Sequence, residues 1–460
     1  MTRAVEDWLA ARDADTIETL KDFCRIPSVS TDPAYNGDVR RAAQFVVDRL
    51  TEAGMPVVET VETDGHPCIF AEWIVDPATP TILIYGHYDV QPPDPLDKWQ
   101  TPPFEPDIRD DRLYARGASD DKGSLLIPLV VARAYAQVHG APPLNLKFLI
   151  EGEEESGSPH FAPTVAAMKD RLTCDLVVSA DGAMWRADLP SITVASRGML
   201  ALEATVTGAA KDLHSGRHGG SAPNPVRALA RMMASLHDDD GLVAVPGFAD
   251  AATAPDPAIT DAINDVAFDV GGYFDGIGAP RPDPLPDSAT LLTRQWLVPT
   301  LEFNGISGGY AGKGTKTVIP SEASVKITCR LVAGQDPDAV CEAIRAHLAA
   351  VLPTGYAMDL HRHGPGSRAF ALDPDLPGLR VAEGILEELL GARPLRVAMG
   401  ATIPIGSVFD EHLGAGLVFF SFSTADEDYH APNEFYRLSS LRTGQIAWAR
   451  LFDRLGGGPS

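Results

Sequence analysis

The sequence predicts an α/β fold: a mostly parallel sheet with flanking helices, interrupted by a smaller inserted α+β domain. Three observations carry this. Apolar β-like runs alternate with helical stretches up to residue 181, and polar residues collect just after the strand ends, as in doubly covered parallel sheets. Near Ser196 the pattern changes to strands that alternate apolar and polar residues, as half-exposed antiparallel strands do. After about residue 372 the first pattern returns. With 460 residues the chain exceeds one ordinary core. The domains are therefore read as 1–196 (catalytic, first part), 197–371 (inserted lid or dimerisation domain) and 372–460 (catalytic, second part).

In order, Val5 to Phe23 carries apolar residues at helical spacing, and Val39 to Ala53 repeats this before Gly54, a natural stop. Strands are expected at Val57–Val61, Ile69–Trp73 and Thr81–Tyr85, the last ending in GHYDV. A proline-rich loop leads to a short strand, RLY, a Gly/Ser/Asp turn and an apolar helix from near Lys122. Next come the strand from Leu146, a helical stretch around Pro163–Met168, and Asp175–Ser179 running into Ala-Asp-Gly. In the insert, strands are expected at Leu200–Val206, Thr300–Phe303, Ala323–Leu331 and Tyr356–Arg362, with helices at Asn224–His237 and Pro337–Val351. The Pro/Gly/Asp-rich region Val245–Pro286 reads as loops bordering a cleft, where side-chain preference is set. The helix Leu376–Leu390, the apolar run Leu417–Phe422 and the helix Ser439–Leu451 complete the chain.

The net charge of −25 argues against nucleic-acid or anionic-membrane surfaces. No run reaches the roughly 18 apolar residues that span a bilayer, and the opening residues lack a signal-peptide core. A cytoplasmic protein is expected. Five scattered cysteines with no CxxC pair fit reduced, buried thiols.

The chemistry lies where LKFLIEGEEESGS ends an apolar strand in four closely spaced glutamates. Clustered carboxylates repel one another and resist desolvation, so either a cation sits beside them or they splay into water. Other strand ends carry His87 and Asp89, Asp120 and Asp121, Asp181 and, far downstream, His430. Imidazole and carboxylate without thiolate form a donor set for zinc, manganese or cobalt. Two histidines and several carboxylates suffice for two ions with a shared bridge. Each residue alone has a plainer reading as a cap or solvated side chain; His66, His139, His237 and His412, which lack such company, keep it. The glycine-rich stretch 308–314 lacks the spacing of a P-loop or dinucleotide fingerprint.

GHYDVQP, RGASDDKG, EGEEESGS, SADG and HAPNE, in this order, resemble the family of co-catalytic metallopeptidases that includes carnosine dipeptidase, glutamate carboxypeptidase, succinyl-diaminopimelate desuccinylase and the aminoacylases. GTKTVIP followed by CRLV brings the chain nearest the carnosine-dipeptidase-like branch. The resemblance implies two divalent ions, zinc first and manganese or cobalt as alternatives. Asp120 would bridge them, His87 and Asp181 completing one site and Glu155 and His430 the other. Glu154 would be the general base for a metal-activated hydroxide, and Asp89 would fix the His87 tautomer. Glu151 and Glu153 would be supporting or solvent-facing. The Asp120–Asp121 peptide would be cis. His214, in an HSG context, would stabilise the oxyanion across a homodimer formed through the inserted domain. Arg330 would bind the substrate carboxylate, with Thr317 and Thr402 nearby; relatives often carry Ser at the latter position. The expected reaction is hydrolysis of dipeptides or short peptides with a free C-terminus. The alternative on the same site is an N-acyl-amino-acid deacylase, desuccinylase or carbamoylase acting on an acyl-amino acid.

Overall fold

The computed structural model describes residues 2–458. They fall into two units: Met1–Val194 with Leu372–Val397 and Val408–Ser460, and Ala195–Ala371 with Ala398–Ser407. The segment 398–407, read from sequence as part of the closing catalytic piece, thus groups with the insert. Arg197 explains why, since its Nε donates to the Gly400 carbonyl at 2.7 Å and its backbone N–H lies 3.2 Å from the Met399 and Ala401 carbonyls.

The first unit is built on a six-stranded sheet. Its strands include β1 (Val57–Val61), β2 (Cys68–Trp73), β3 (Thr81–His87), β4 (Asn145–Glu151) and β5 (Leu176–Ser179), in the order β1-β2-β4-β3-β5 with Leu417–Phe419 at the far edge. β3, β4, β5 and Leu417–Phe419 run parallel, whereas β2 is antiparallel to β4. The central strands explain their own placement: every residue of β4 is buried, as is all of β3 after Thr81. Such continuously buried, mainly apolar runs suit strands covered on both faces. Register aligns His87 with Glu151 and Tyr85 with Ser179, so the polar residues following β3, β4 and β5 gather along one edge. That carboxyl edge is where ligands bind in open α/β sheets.

Helices supply the cover. Ser124–His139 is buried along most of its length and meets Leu438–Leu455 closely: a Cβ on Gly444 would lie 2.5 Å from Ile127 Cδ1. The Tyr135 hydroxyl also donates to the Ala449 carbonyl at 2.7 Å. The stretch expected as one helix over Val5–Phe23 is two, Thr2–Ala10 and Asp13–Cys24, the second opening with Asp13 and Asp15 in its first turn. Negative side chains favour a helix start, which is why the chain re-nucleates there.

The second unit is an antiparallel sheet of β6 (Gly198–Thr207), β7 (Thr300–Gly308), β8 (Glu322–Leu331) and β9 (Ala357–Ser367), in the order β7-β8-β6-β9. Alternate residues, including Leu200, Leu202, Val325, Ile327 and Cys329, form its core with Leu229 and Met232 of Pro225–Ala234 and Ile344 and Leu348 of Pro337–Val351. One expectation is corrected here. The region Val245–Pro286 is not all loop, for it contains helices Pro257–Asp265 and Val270–Gly276. Asp256 and Asp269 cap them, accepting from backbone N–H groups of Ala258 and Gly272 at 2.9 Å. Pro257 occupies the first turn, where a missing N–H costs nothing.

The cysteines carry no disulfide. Cys24, Cys68, Cys329 and Cys341 are buried and Cys174 is half-buried. Burial pushes the Cys24 thiol up to about 12, leaving it unreactive.

Candidate metal centre

The strand ends of the first unit gather the expected ligand residues. His87 closes β3, Asp120 lies in the turn before Ser124–His139, Glu154 and Glu155 follow β4, Asp181 follows β5, and His430 lies in the loop after Leu417–Phe419. Their donor atoms form two groups, His87 with Asp120 and Asp181, and Asp120 with Glu155 and His430, each within 4.8 Å. Asp120 belongs to both. Its Oδ1 is 3.1 Å from His87 Nε2 and its Oδ2 is 3.0 Å from His430 Nε2. His430 Nε2 also lies 3.2 Å from Glu155 Oε2. The Asp120–Asp121 peptide is cis.

The electrostatics of this cluster are those of excess negative charge. Burial raises the Glu154 carboxyl well above the ordinary carboxylate range, with Asp181, Glu155 and Asp120 adding repulsion. Burial likewise pushes Glu155 up to about 7 and Asp181 up to about 6. Burial alone would make His87 less basic, but its bonds to Asp120 and Asp89 outweigh this and raise it. Hydrogen bonds to Asp120 and Glu155 raise His430 to about 10. Among the described residues no Lys or Arg forms an ion pair with Asp120, Asp181, Glu154 or Glu155; their basic contacts are the two imidazoles. Oxygen and imidazole donors, gathered without a Lys or Arg among them, fit divalent cations of the zinc or manganese kind.

Neighbouring groups hold these donors. His87 Nδ1 is 3.2 Å from the Asp89 carbonyl and 3.3 Å from Asp89 Oδ1, which fixes the ring so that Nε2 faces Asp120. The Asp89 carboxylate accepts from Ser30 Oγ at 2.6 Å and from the Glu155 N–H at 3.0 Å, so one side chain touches the settings of two ligands. Gln91 Nε2 donates to Glu155 Oε2 at 2.8 Å. Buried Asp121 accepts from the His87 N–H at 3.2 Å. Glu151 and Glu153, for which supporting and solvent-facing roles were both open, are buried: Tyr85 OH donates to Glu151 at 2.7 Å, and His160 Nδ1 lies 2.8 Å from Glu153. Sequence reasoning passed over Ser30, Gln91 and Tyr85; Gln91 stood inside a quoted motif, but nothing in the sequence marked its partner.

The remaining expected residues lie in the second unit. Arg330, near the end of β8, is half-buried and donates through Nη1 to Thr402 Oγ1 at 2.6 Å. Among the described residues it has no carboxylate partner, and burial lowers its pKa from the usual guanidinium value. His214 is exposed, and its Nδ1 accepts from the Gly216 N–H at 3.0 Å. Thr317 is exposed too; its carbonyl accepts from the Ser215 N–H at 3.0 Å, beside the short pairing of Leu213–His214 with Val318–Ile319. No helix among the described residues is long and apolar enough to cross a membrane.

A largely parallel sheet whose carboxyl edge carries a shared aspartate between two imidazole–carboxylate groups fits a metal-dependent hydrolase. The profile of the Peptidase family M20/M25/M40 matches residues 83–454, and the chain belongs to that family; it is a metallopeptidase. Curated relatives include Beta-Ala-His dipeptidase of Homo sapiens, 30% identical over 437 residues, covering 91% of this chain and 85% of that protein. Cys-Gly metallodipeptidase dug1 of Schizosaccharomyces pombe is 29% identical over 434 residues, 91% of each chain. Among solved structures, the M20 family metallo-carboxypeptidase Sso-CP2 from Sulfolobus solfataricus matches with a TM-score of 0.86 and 28% identity, covering 96% of this chain and 99% of that one. Human carnosine dipeptidase 1 matches at 0.82 and 28%, covering 99% of each.

Proposed function

We propose that this metallopeptidase hydrolyses dipeptides and short peptides that carry a free C-terminal carboxylate, using two divalent cations. The observation that carries the reading is the double membership of Asp120, whose two oxygens face different histidines, each with its own carboxylate. His87, Asp120 and Asp181 would hold one cation, and Asp120, Glu155 and His430 the other, with zinc first and manganese or cobalt as alternatives. Bound there, the cations supply positive charge that polarises the scissile carbonyl and makes water a stronger nucleophile near neutral pH.

The chain's own groups do the rest. Glu154 takes a proton from the attacking water on a carboxylate oxygen and passes it to the departing amine nitrogen. Asp89 keeps the His87 proton on Nδ1. Arg330 offers the substrate carboxylate a planar fork of donors; its burial without a carboxylate partner supports the role, and Thr402 holds its orientation. Thr317 completes the substrate contacts. His214 would donate to the developing oxyanion in the site of a second copy, which makes a homodimer through the inserted domain part of the reading. The names Beta-Ala-His dipeptidase, Cys-Gly metallodipeptidase and metallo-carboxypeptidase among the relatives support a small peptide with a free carboxylate.

The test is turnover of a metal-supplemented dipeptide panel with and without C-terminal amidation. Free acids are expected to be cleaved and amides not, and Arg330→Lys is expected to raise KM roughly 10- to 100-fold for the acids, the worth of one charged hydrogen bond at about 1.5–3 kcal/mol. Equal turnover of amidated substrates would refute the carboxylate role. For His214, two inactive variants, His214→Ala and Glu154→Gln, are expected to recover up to about a quarter of wild-type activity when mixed and allowed to exchange subunits, because one site in each mixed dimer is intact. Without recovery, the cross-subunit role is wrong.

A further inference from the structure

The turn that presents Asp120 has few backbone partners of its own. Gly117 adopts φ 79° and Asp120 lies at φ −121°, ψ 96°, outside helical geometry, so N–H groups here are not paired by a ladder or a regular helix. Buried N–H groups must find acceptors elsewhere. They find one side chain. Glu434 Oε2 accepts from Arg116 Nη1 at 2.6 Å and the Gly117 N–H at 2.8 Å, while Oε1 accepts from the Ser119 N–H at 2.9 Å and the Asp120 N–H at 3.2 Å.

Glu434 and Arg116 are each 1% exposed, so neither charge is shared with water. The same downstream segment grips the turn again: Ser119 Oγ donates to Glu427 at 2.6 Å, and Ser423 Oγ donates to the Ser119 carbonyl at 2.7 Å. Between Glu427 and Glu434 lies His430, whose ring faces Asp120. One carboxylate therefore fixes the backbone of one ligand-bearing loop while belonging to the other.

We propose that Glu434 is a positioning residue for the metal centre: it moulds the Arg116–Asp120 turn so that Asp120 faces His87 and His430 together, and cation affinity depends on it although it lies outside the ligand set. The chemistry requires a carboxylate at this position. An ionised carboxylate has about four acceptor positions and no donor, which matches four converging N–H donors. Glutamine has the same shape but turns its NH2 toward one pair of those donors and breaks that half of the mould. Aspartate is too short to span both. Ligand geometry must hold to roughly 0.5 Å for tight binding, and groups that orient ligands typically contribute about 10- to 100-fold in affinity.

The inference rests on the two-cation reading, and one experiment separates their failures. The full-length protein is stripped with a chelator and titrated with Co2+, read by calorimetry and by visible absorption of the bound ion. If wild type does not take up two Co2+ per chain, the two-cation reading fails. If it does, Glu434→Gln is expected to bind Co2+ about 10- to 100-fold more weakly and with an altered spectrum, while its KM for a dipeptide stays within about twofold and kcat falls. Wild-type affinity and spectrum in Glu434→Gln would overturn the positioning role. Should that variant not fold, Arg116→Lys, which loosens the pin on Glu434 and keeps the charge, decides the matter: the role predicts weaker Co2+ binding of the same sign, and unchanged affinity and spectrum overturn it.

Discussion

Adjacent glutamates at one turn have unlike fates because their surroundings differ by a few ångströms. Glu151 closes β4 against the Tyr85 hydroxyl, Glu155 faces His430, and Glu154 stands in the acidic cluster with no side-chain hydrogen bond among the described residues. The resemblance assigns Glu154 as the base, and a side chain without a fixed partner is compatible with carrying a proton. Glu154→Gln is expected to lower kcat by about 10²–10⁴-fold, the usual worth of general acid–base catalysis, while Co2+ stoichiometry stays at the wild-type value. Full activity in that variant would remove Glu154 from the mechanism. The candidate ligand residues were legible as a set, because each lies in a turn or loop after an apolar run and the motifs carrying them resemble one family; singly, each read as a cap or a solvated side chain. Glu434 and Glu427 were not, since a glutamate inside a loop motif reads as solvated until its donors, more than 300 positions away, are seen.

At the level of elements, position is set by close packing of turns against strands. A Cβ on Gly123 would lie 2.3 Å from the Ala118 carbonyl oxygen and 2.6 Å from Tyr436 Cδ1, so the turn holding Asp120 closes only over a bare α-carbon. Gly123→Ala is expected to lower the melting temperature by several degrees and to weaken Co2+ binding, because the backbone carbonyl cannot move without shifting the turn. Unchanged melting and metal binding would show that the turn has room. Parallel strands buried on both faces announce themselves as mainly apolar runs, so β3, β4 and β5 were readable. Helices Pro257–Asp265 and Val270–Gly276 were hidden by their own starts, since the Asp caps and Pro257 look like turn residues until the following turn is counted. The grouping of 398–407 with the insert depends on Arg197 and Arg330, contacts that no local pattern encodes.

For the whole molecule the dominant consequence is a stability that depends on cations and pH together. In the metal-free protein, Glu155 and Asp181 have folded pKa values above their ordinary ones, so the folded state binds more protons than the unfolded chain between about pH 4 and 7. Stability therefore falls as pH rises through that window. His430, raised to about 10, contributes in the same direction: its stabilisation is complete below about pH 6.5 and is lost as pH rises toward 10. Asp120 is shifted down, and its opposite effect lies below pH 4. The chelated protein is thus expected to melt at a higher temperature at pH 5 than at pH 8. Cation binding needs those same groups deprotonated, so the rise in melting temperature on adding Co2+ should grow from pH 5 to pH 8. A metal-induced rise that shrinks over this range would contradict the ligand assignment.

The edge strand Leu417–Phe419 lies next to β5 in the sheet, and the loop bearing His430 and Glu434 follows it. On the ribosome, a growing chain that has emerged only to the end of Pro377–Leu390 already displays His87, Asp120, Glu155 and Asp181, but lacks one imidazole and the carboxylate that shapes the Asp120 turn. On the two-cation reading proposed above, hydrolytic competence would wait until that last segment is made.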